Sequence, residues 1–133
     1  MKASVETTGL GRKVVSDPCE EPCAIERGMR ILGGKWTGSI LWHLQDEPVR
    51  FNDLARMVGG ASKKMIAERL RQLEEQGLIT RRVLKTSPVA VEYSVTPLGA
   101  TAIRFLDELR EWSEGLPPAL TESVVRAAGR RGG

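Results

Sequence analysis

Side chains able to bind a polyanion are concentrated between residues 62 and 71. Ser62 is followed by Lys63 and Lys64, and Arg71 comes seven residues after Lys64. In a helix a spacing of seven returns to the same face, so Lys64 and Arg71 are expected to project together. Both residue types can donate to guanine in the DNA major groove. The pattern indicates a nucleic-acid surface, but a merely solvated helix face would look the same, and this segment alone favours neither interpretation.

A helix-turn-helix pattern surrounds these side chains. Asn52 is expected to cap a first short helix, and Gly59-Gly60 to end it, because glycine reaches left-handed dihedrals without a Cβ penalty. Ser62 then caps a second helix over residues 63–76, whose apolar side chains recur at i, i+4 and i+7. These side chains are Ile66, Leu70 and Leu73. Such an arrangement would present the N-terminal end of the second helix to a DNA major groove.

The flanking segments predict the rest of a winged helix. Further helices are expected at 23–32, 35–44 and 98–112, strands at 78–85 and 89–95, and a short extended piece at 49–51. The strands enclose a Thr86-Ser87-Pro88 turn, and the second alternates apolar and polar residues. Thr96-Pro97 is a strong start for the last helix. The expected fold class is therefore mainly α with a small β-hairpin wing (α+β), a winged helix-turn-helix with flanking N- and C-terminal dimerisation helices.

The chain is long enough for one domain with tails. Residues 1–18 lack apolar periodicity and are expected to form a flexible N-terminal tail. Residues 19–114 would form the winged helix-turn-helix domain for DNA binding and dimerisation. Residues 115–133 are expected to be a C-terminal tail, with at most a short helix over 121–128.

Composition and single residues narrow the function classes. The 133 residues are 41% hydrophobic and 28% charged with a net charge of +3, which permits a nucleic-acid partner without requiring one. No apolar run approaches the roughly 18 residues of a membrane span, and the N-terminus lacks a signal-peptide apolar region. We therefore expect a cytoplasmic protein without a membrane partner.

His43 has no metal-ligand cluster around it, and the sequence has no catalytic triad or phosphate-binding glycine loop. We expect no metal, no cofactor, no catalytic residues and no enzyme activity.

Two cysteines, Cys19 and Cys23, are candidates for redox sensing. In a cytosolic chain two cysteines do not make a disulfide framework, and Cys-x-x-x-Cys is not the spacing of a thiol oxidoreductase. The start of a helix favours the thiolate at Cys23, whereas Glu20 and Glu21 disfavour it. Cys19 could act as a resolving thiol or be inert. The simpler alternative is a buried structural cysteine with no redox role.

An apolar stripe on the last helix suggests a homodimer. The stripe recurs at helical spacing and consists of Ala102, Phe105, Leu106, Leu109 and Trp112, of which Phe105, Leu109 and Trp112 are expected at the interface. Ile25 and Met29 share one face of the first helix and are expected there too. The stripe could simply cover the domain's own core. It is also suited to pack against a second copy across a two-fold axis, and we favour this interpretation for so small a domain.

With these elements in place, the chain resembles the HxlR-type family of winged-helix regulators, relatives of the MarR type. The matching blocks are CAIER and LGGKW (23–27, 32–36), RFNDL (50–54), SKKM, RLRQLE and GLI (62–65, 69–74, 77–79) and VEYSVTPLG (91–99). The sequence departs from the family pattern at Ala24, Ala67 and Glu68. The resemblance implies a DNA-binding transcription factor, usually a dimer through its terminal helices. Several members of the family respond to oxidants or electrophiles through the cysteine that matches Cys23, so the resemblance also implies a redox role for this residue.

The expected mechanism combines phosphate contacts with a small set of base contacts. Lys63, Lys64 and Arg71 would enter the groove, with Ser62 serving as both helix cap and phosphate donor. Further backbone contacts would come from residues beside them: Arg50, Lys85, Thr86 and Ser87. Arg69, on the flank of the buried stripe, would reach the DNA backbone or pair with a carboxylate such as Glu74.

The expected partners follow from this arrangement. A two-fold dimer implies a palindromic double-stranded DNA operator, with recognition helices roughly 34 Å apart. Control by an oxidant or by a small-molecule effector is left open. The main rival is a winged helix used only for protein–protein contacts, which would not bind duplex DNA in a salt-dependent way.

Overall fold

The computed structural model describes residues 5–7, 13–15 and 22–130. The chain divides into two compact units, residues 1–34 and 35–133. No helix among the described residues is long and apolar enough to cross a membrane.

The described part of the first unit contains a short two-stranded antiparallel sheet and one helix. Its elements are β1 (Val5–Thr7), β2 (Lys13–Val15) and α1 (Ala24–Leu32). Cys23 has an extended backbone and is the N-cap of α1, and the Gly33 amide donates to the Met29 carbonyl at the other end. Most of the expected N-terminal tail, residues 1–18, lies outside the described residues, so its flexibility stays a prediction.

The second unit is a winged helix followed by two further helices. Its elements in chain order are α2 (Thr37–His43), β3 (Val49–Arg50), α3 (Phe51–Met57), α4 (Lys63–Glu75), β4 (Ile79–Leu84), β5 (Ala90–Val95), α5 (Pro97–Glu114) and α6 (Pro118–Arg130). Helices α3 and α4 form the helix-turn-helix, and β4 and β5 form the wing. The expected mainly α fold with a small β-hairpin wing is confirmed.

A three-stranded antiparallel sheet carries the wing. The strand order is β3-β5-β4, and Tyr93 of the central strand stands opposite Val49 on one side and Arg81 on the other. The extended piece expected at 49–51 supplies the third strand, although only its first two residues pair. Because β3 runs directly into α3, this pairing fixes the wing relative to the helix-turn-helix.

One apolar core holds the second unit together. Helix α4 buries Ile66, Leu70 and Leu73 completely, as their spacing predicts. The other buried apolar side chains come from the remaining elements and loops of this unit: Ile40, Leu41, Leu44, Val49, Leu54, Val58, Leu78, Ile79, Tyr93, Ile103 and Leu106. Full burial of such a side chain stabilises the fold by about 1.5–3 kcal/mol. Because one face of α4 is committed to this core, the opposite face must point outward.

The N-terminal boundaries of two helices differ from those expected. Asn52 is not the N-cap of α3, because Arg50 pairs with Glu92 in the sheet and the helix begins directly after it. Helix α2 begins at Thr37 rather than at residue 35, because Trp36 has a left-handed backbone with φ 72°.

The C-terminal segment is more helical than expected. Helix α6 spans 13 residues from Pro118, where the sequence suggests a loose tail with at most a helix over 121–128. Proline is favoured in the first helical position, which Pro118 occupies. Glu122 Oε2 lies 3.9 Å from Nη1 of Arg126, one turn later on the same helix. Both features support a helix longer than apolar periodicity alone indicates.

Candidate nucleic-acid interface

The start of α4 is a capped and exposed helix end. The Ser62 hydroxyl accepts a hydrogen bond from the Met65 amide at 3.1 Å, which satisfies one donor that the helix itself cannot pair. Gly60 precedes it with φ +93°, a conformation that glycine permits. Lys63 and Lys64 follow and are both exposed. The cap expected at Ser62 is confirmed.

The cations of α4 differ in their acidic partners. In the described part of the chain, no carboxylate oxygen lies within 4.0 Å of the amino group of Lys63 or Lys64. Arg71 Nη1 donates to Glu75 Oε1 at 2.8 Å on the exposed side of the helix. An exposed i,i+4 pair contributes only about 0.3–0.5 kcal/mol, so Arg71 can exchange this partner for another acceptor at low cost.

Arg69 is held by neutral oxygens of its own chain. Its Nε donates to the Lys35 carbonyl oxygen at 2.9 Å, and its Nη1 donates to Gln72 Oε1 at 3.1 Å. Pairing with Glu74, one of the two roles expected for Arg69, is not seen among the residues that the structure describes. The other role, contact with a DNA backbone, stays a prediction.

The wing tip presents polar side chains. Lys85, Thr86 and Ser87 are all exposed in the turn between β4 and β5. Thr86 Oγ1 donates to the Pro88 carbonyl oxygen at 2.7 Å, which ties the turn to itself. The wing residues named from the sequence therefore lie on an accessible and locally ordered turn.

A groove of about 690 Å³ lies between the wing and the helix-turn-helix. Its lining includes Arg50, Asn52 and Arg56 from the β3–α3 segment, Ala67 from the exposed face of α4, and Thr86 and Ser87 from the wing. Three of the residues that the sequence places at the DNA-binding site, Arg50, Thr86 and Ser87, therefore line the same groove.

Asn52 and Arg56 line this groove but are missing from the expected DNA-binding site. Asn52 was expected to cap α3 and was therefore not considered as part of a binding surface, although it lies inside the first turn of the helix. Arg56 forms an exposed ion pair with Asp53, three residues earlier. The signal that could reveal Arg56 is its place on the last turn of the first helix of the helix-turn-helix.

Comparison with known proteins identifies the family to which this geometry belongs. The model of the HxlR-like helix-turn-helix family matches residues 31–119. This chain belongs to that family. It is 38% identical over 94 residues to the uncharacterized HTH-type transcriptional regulator YdeP of Bacillus subtilis (strain 168), a match that covers 71% of this chain and 73% of YdeP.

Solved structures with the same fold are also regulators. A protein of Porphyromonas gingivalis W83 in the MarR family of transcriptional regulators superposes with a TM-score of 0.71 at 32% identity, over 76% of this chain and 99% of that one. The oxidized form of the redox regulator HypR superposes with a TM-score of 0.67 at 34% identity, over 71% and 98%. This HxlR-like protein is thus a transcriptional regulator with a helix-turn-helix DNA-binding fold, and no enzyme family is indicated.

Helix α5 of this HxlR-like protein divides its apolar stripe between two surfaces. Leu106 of the stripe is buried in the core together with Ile103, which lies outside the stripe, whereas Phe105, Leu109 and Trp112 are 48%, 41% and 65% exposed. The two interpretations of the stripe are therefore not exclusive. One side covers the core of its own unit, and the other side remains accessible to a partner.

Other helices also carry exposed apolar residues. Ile25 and Met29 of α1, expected at a dimer interface, are exposed. Helix α6 adds Leu120, Val124 and Val125, which the sequence interpretation missed because it assigned this segment to a loose tail. Helical spacing of these three residues is the signal that could have revealed them.

The candidate redox residues are only partly described. Cys23 is half-buried at the N-cap of α1, and Cys19 lies outside the described residues. Cys23 is therefore neither a fully buried structural cysteine nor a fully exposed thiol. No group of three His, Cys, Asp or Glu residues in the described ranges could hold a metal ion.

A second groove, of about 320 Å³, lies between α2 and α5. Trp42 and Leu109 contribute to its walls, together with Arg110. Trp42 Nε1 is buried without a hydrogen-bond partner among the described residues. Arg110 donates hydrogen bonds to Asp107 and Glu114, and these bonds raise the pKa of its guanidinium. The positive charge of Arg110, at the edge of this groove, is therefore already paired with two carboxylates of its own helix.

Proposed function

We propose that this protein regulates transcription by binding duplex DNA sequence-specifically, as a homodimer on a palindromic operator, with α4 as the recognition helix. The observation that carries the proposal is the exposed tip of α4. Ser62 caps it, and Lys63 and Lys64 have no acidic partner among the described residues. Two such cations at a helix end match the phosphate and guanine acceptors of a major groove.

Base contacts and backbone contacts would fall to different residues. Lys64 and Arg71 share the face of α4 opposite the core, from which they can donate to guanine O6 and N7. Lys63 and Ser62, at the helix end, would contact phosphate. Further phosphate contacts would come from the groove and the wing beside it: Arg50, Lys85, Thr86 and Ser87.

A second copy of the chain would supply the other half of the binding surface. The exposed apolar residues of α5 and α1 support a two-fold interface, since solvent exposure of Phe105 and Trp112 is costly in a lone chain. A two-fold dimer would place two recognition helices about 34 Å apart, one turn of DNA, on inverted half-sites.

Selection of duplexes from a random pool tests this proposal without any assumption about the natural operator. We expect the wild-type protein to enrich an inverted repeat with half-sites about 10 base pairs apart. Affinity for that duplex should fall steeply with salt and exceed the affinity for a scrambled duplex. Absence of any salt-dependent duplex binding would favour the rival, a winged helix used only for protein contacts.

Thiol oxidation is a second proposal, on the control of DNA binding. It is supported by the fold shared with the redox regulator HypR and by the half-buried position of Cys23 at the N-cap of α1. Cys19 would act as the resolving thiol. A small-molecule effector is the alternative means of control, for which the groove between α2 and α5 offers a volume of about 320 Å³.

Peroxide treatment tests control by thiol oxidation. We expect oxidation to change the intact mass and the DNA affinity of the wild-type protein, and Cys23→Ser to abolish the change in affinity. Cys19→Ser should block disulfide formation but leave the first oxidation of Cys23 intact. If peroxide alters neither mass nor affinity, thiol control is wrong.

A further inference from the structure

Among the described residues, Arg69 makes the side-chain hydrogen bond that joins the two residues farthest apart in sequence. Its Nε donates to the Lys35 carbonyl oxygen at 2.9 Å, across 34 residues of sequence. Its Nη1 donates to Gln72 Oε1 at 3.1 Å on the same helix. The guanidinium therefore bridges the recognition helix and the segment that leads into α2.

The next residue along, Trp36, contacts the turn that precedes α4. Gly60 has φ +93°, and a Cβ built there would lie 3.1 Å from Cη2 of the Trp36 ring. The Trp36 backbone is itself left-handed, and Lys35 Nζ stands 5.5 Å from the centroid of the Trp36 ring. Lys35 thus contacts the middle of α4 through Arg69, and Trp36 contacts the turn that precedes the first residue of α4.

We propose that Arg69 is a positioning residue, which holds α4 against Lys35-Trp36 so that the lysines at its tip are presented in one orientation. This inference rests on the proposed function and deepens it. The apolar face of α4 fixes which side is inward, but a row of aliphatic contacts is non-directional. Hydrogen bonds are directional, so the bond from Nε sets the rotation and the axial position of the helix.

The same geometry limits a direct phosphate contact by Arg69. Two of the five N–H groups of its guanidinium already donate to acceptors in its own chain, so the group could not turn toward a phosphate without losing those bonds. A helix ordered before binding loses less conformational entropy when DNA arrives. Arg69 would therefore raise DNA affinity through the order of α4 rather than through its charge.

Charge-conserving substitution separates these two roles. In Arg69→Lys a methylene replaces Nε, so the positive charge remains but the donor to the Lys35 carbonyl is displaced by one bond. Lysine serves a phosphate as a point charge, so a phosphate-binding Arg69 should tolerate the change. A positioning Arg69 should not. Arg71→Lys is the matched control for hydrogen exchange alone, because Arg71 is on the same helix but is exposed and bonded only to Glu75 among the described residues.

Two readouts are needed, DNA affinity across salt concentrations and hydrogen exchange of the free protein. For Arg69→Lys we expect affinity for the selected duplex to fall about tenfold at every salt concentration, a parallel shift with unchanged salt slope. Exchange should accelerate in the peptide that covers residues 57–66. Arg71→Lys should leave that exchange unchanged.

Each other combination overturns the proposal. Wild-type affinity in Arg69→Lys shows that the bridge does not matter for DNA binding, whatever the exchange data show. Lower affinity with unchanged exchange shows a direct contact instead of positioning. If Arg69→Lys does not fold, Gln72→Leu removes only the second acceptor, and the same two readouts apply with smaller changes. The exchange experiment needs no DNA, so it separates failure of this bridge from failure of the proposed function.

Discussion

At the scale of single residues, the cations of α4 differ in whether their charge is already engaged within the chain, and this difference determines the part in DNA binding that we propose for each. Lys63 and Lys64 are exposed and have no carboxylate within 4.0 Å among the described residues. Arg71 shares an exposed pair with Glu75, whereas Arg69 is engaged with Lys35 and Gln72. The four basic residues of one helix thus fall into three groups with different expected effects on substitution.

Lys64 and Lys85 should separate base contacts from backbone contacts. Lys64→Ala should weaken binding to the selected duplex by about 1–3 kcal/mol and reduce the preference over scrambled DNA, because a base contact discriminates by that amount. Lys85→Ala should weaken both duplexes equally, since a phosphate contact carries no sequence information. Electrophoretic shift titrations on the two duplexes measure both effects. Unchanged affinities for both variants would refute the assignment.

Gly99 is expected to be essential for packing α5. A Cβ on Gly99 would collide with the Leu78 carbonyl oxygen and would lie 2.6 Å from Val95 Cγ2. Gly99→Ala should therefore lower the free energy of unfolding by about 1–3 kcal/mol, despite the higher helix propensity of alanine. Gly28→Ala, on a helix with nothing within 4 Å of the added Cβ, is the control and should not destabilise. Chemical denaturation measures both; equal stabilities would contradict the packing argument.

Local residue signals were predictable from the sequence, and long-range ones were not. The cap at Ser62 depends on an amide three residues away, so its sequence pattern is sufficient. Asn52 was misassigned because strand pairing of Arg50 with Glu92, 42 residues away, sets the start of α3. The acceptor of Arg69 is a backbone carbonyl, which any residue carries and no residue type reveals.

At the scale of elements, the start of α4 depends on Ser62 for its helix cap and, in our proposal, for a phosphate contact. Ser62 stabilises the helix by accepting a hydrogen bond from the Met65 amide, and in the proposed complex it would also contact a phosphate. The helix-turn-helix, the third strand and the wing were all predictable, because each has its own periodicity or turn signal. The groove between wing and α3 was not, because it arises only when separate elements assemble.

Two substitutions at Ser62 should separate capping from DNA contact. Ser62→Ala should lower the free energy of unfolding by about 1 kcal/mol, because the Met65 amide loses its acceptor. Ser62→Asp should keep that stability, since aspartate caps well, yet weaken DNA binding because its charge repels phosphate. Thermal denaturation and anisotropy titration measure the two effects. Wild-type affinity of Ser62→Asp would exclude a phosphate beside residue 62.

At the scale of the whole molecule, the exposed apolar face of α5 is the main feature that a single chain leaves unexplained. Its periodicity was clear from the sequence, but the division of the stripe between core and surface was not. That division depends on how α5 lies on α2 and β5, which fixes Ile103 and Leu106 inward and Phe105 and Trp112 outward.

Phe105→Asp should convert the proposed homodimer into a monomer, because it places a charge in the apolar interface. Light scattering after size-exclusion chromatography should then give the mass of one chain, and affinity for the selected duplex should fall by about a hundredfold as avidity is lost. Val83→Asp, at an exposed apolar position on the wing, is the control for oligomeric state and should leave the mass unchanged. A wild-type protein that already has the mass of one chain would rule out the dimer.

The salt dependence of duplex binding with and without the two lysines at the tip of α4 tests the central claim most directly. Anisotropy titrations of the wild-type protein and of the double variant Lys63→Ala/Lys64→Ala should give straight lines of log affinity against log salt. We expect the slope of the variant to be shallower by about 0.9, since Lys63 is the phosphate contact that is lost, whereas loss of the base contact of Lys64 lowers the affinity without changing the slope. Lines that coincide, or a wild-type protein whose binding does not depend on salt, would contradict it.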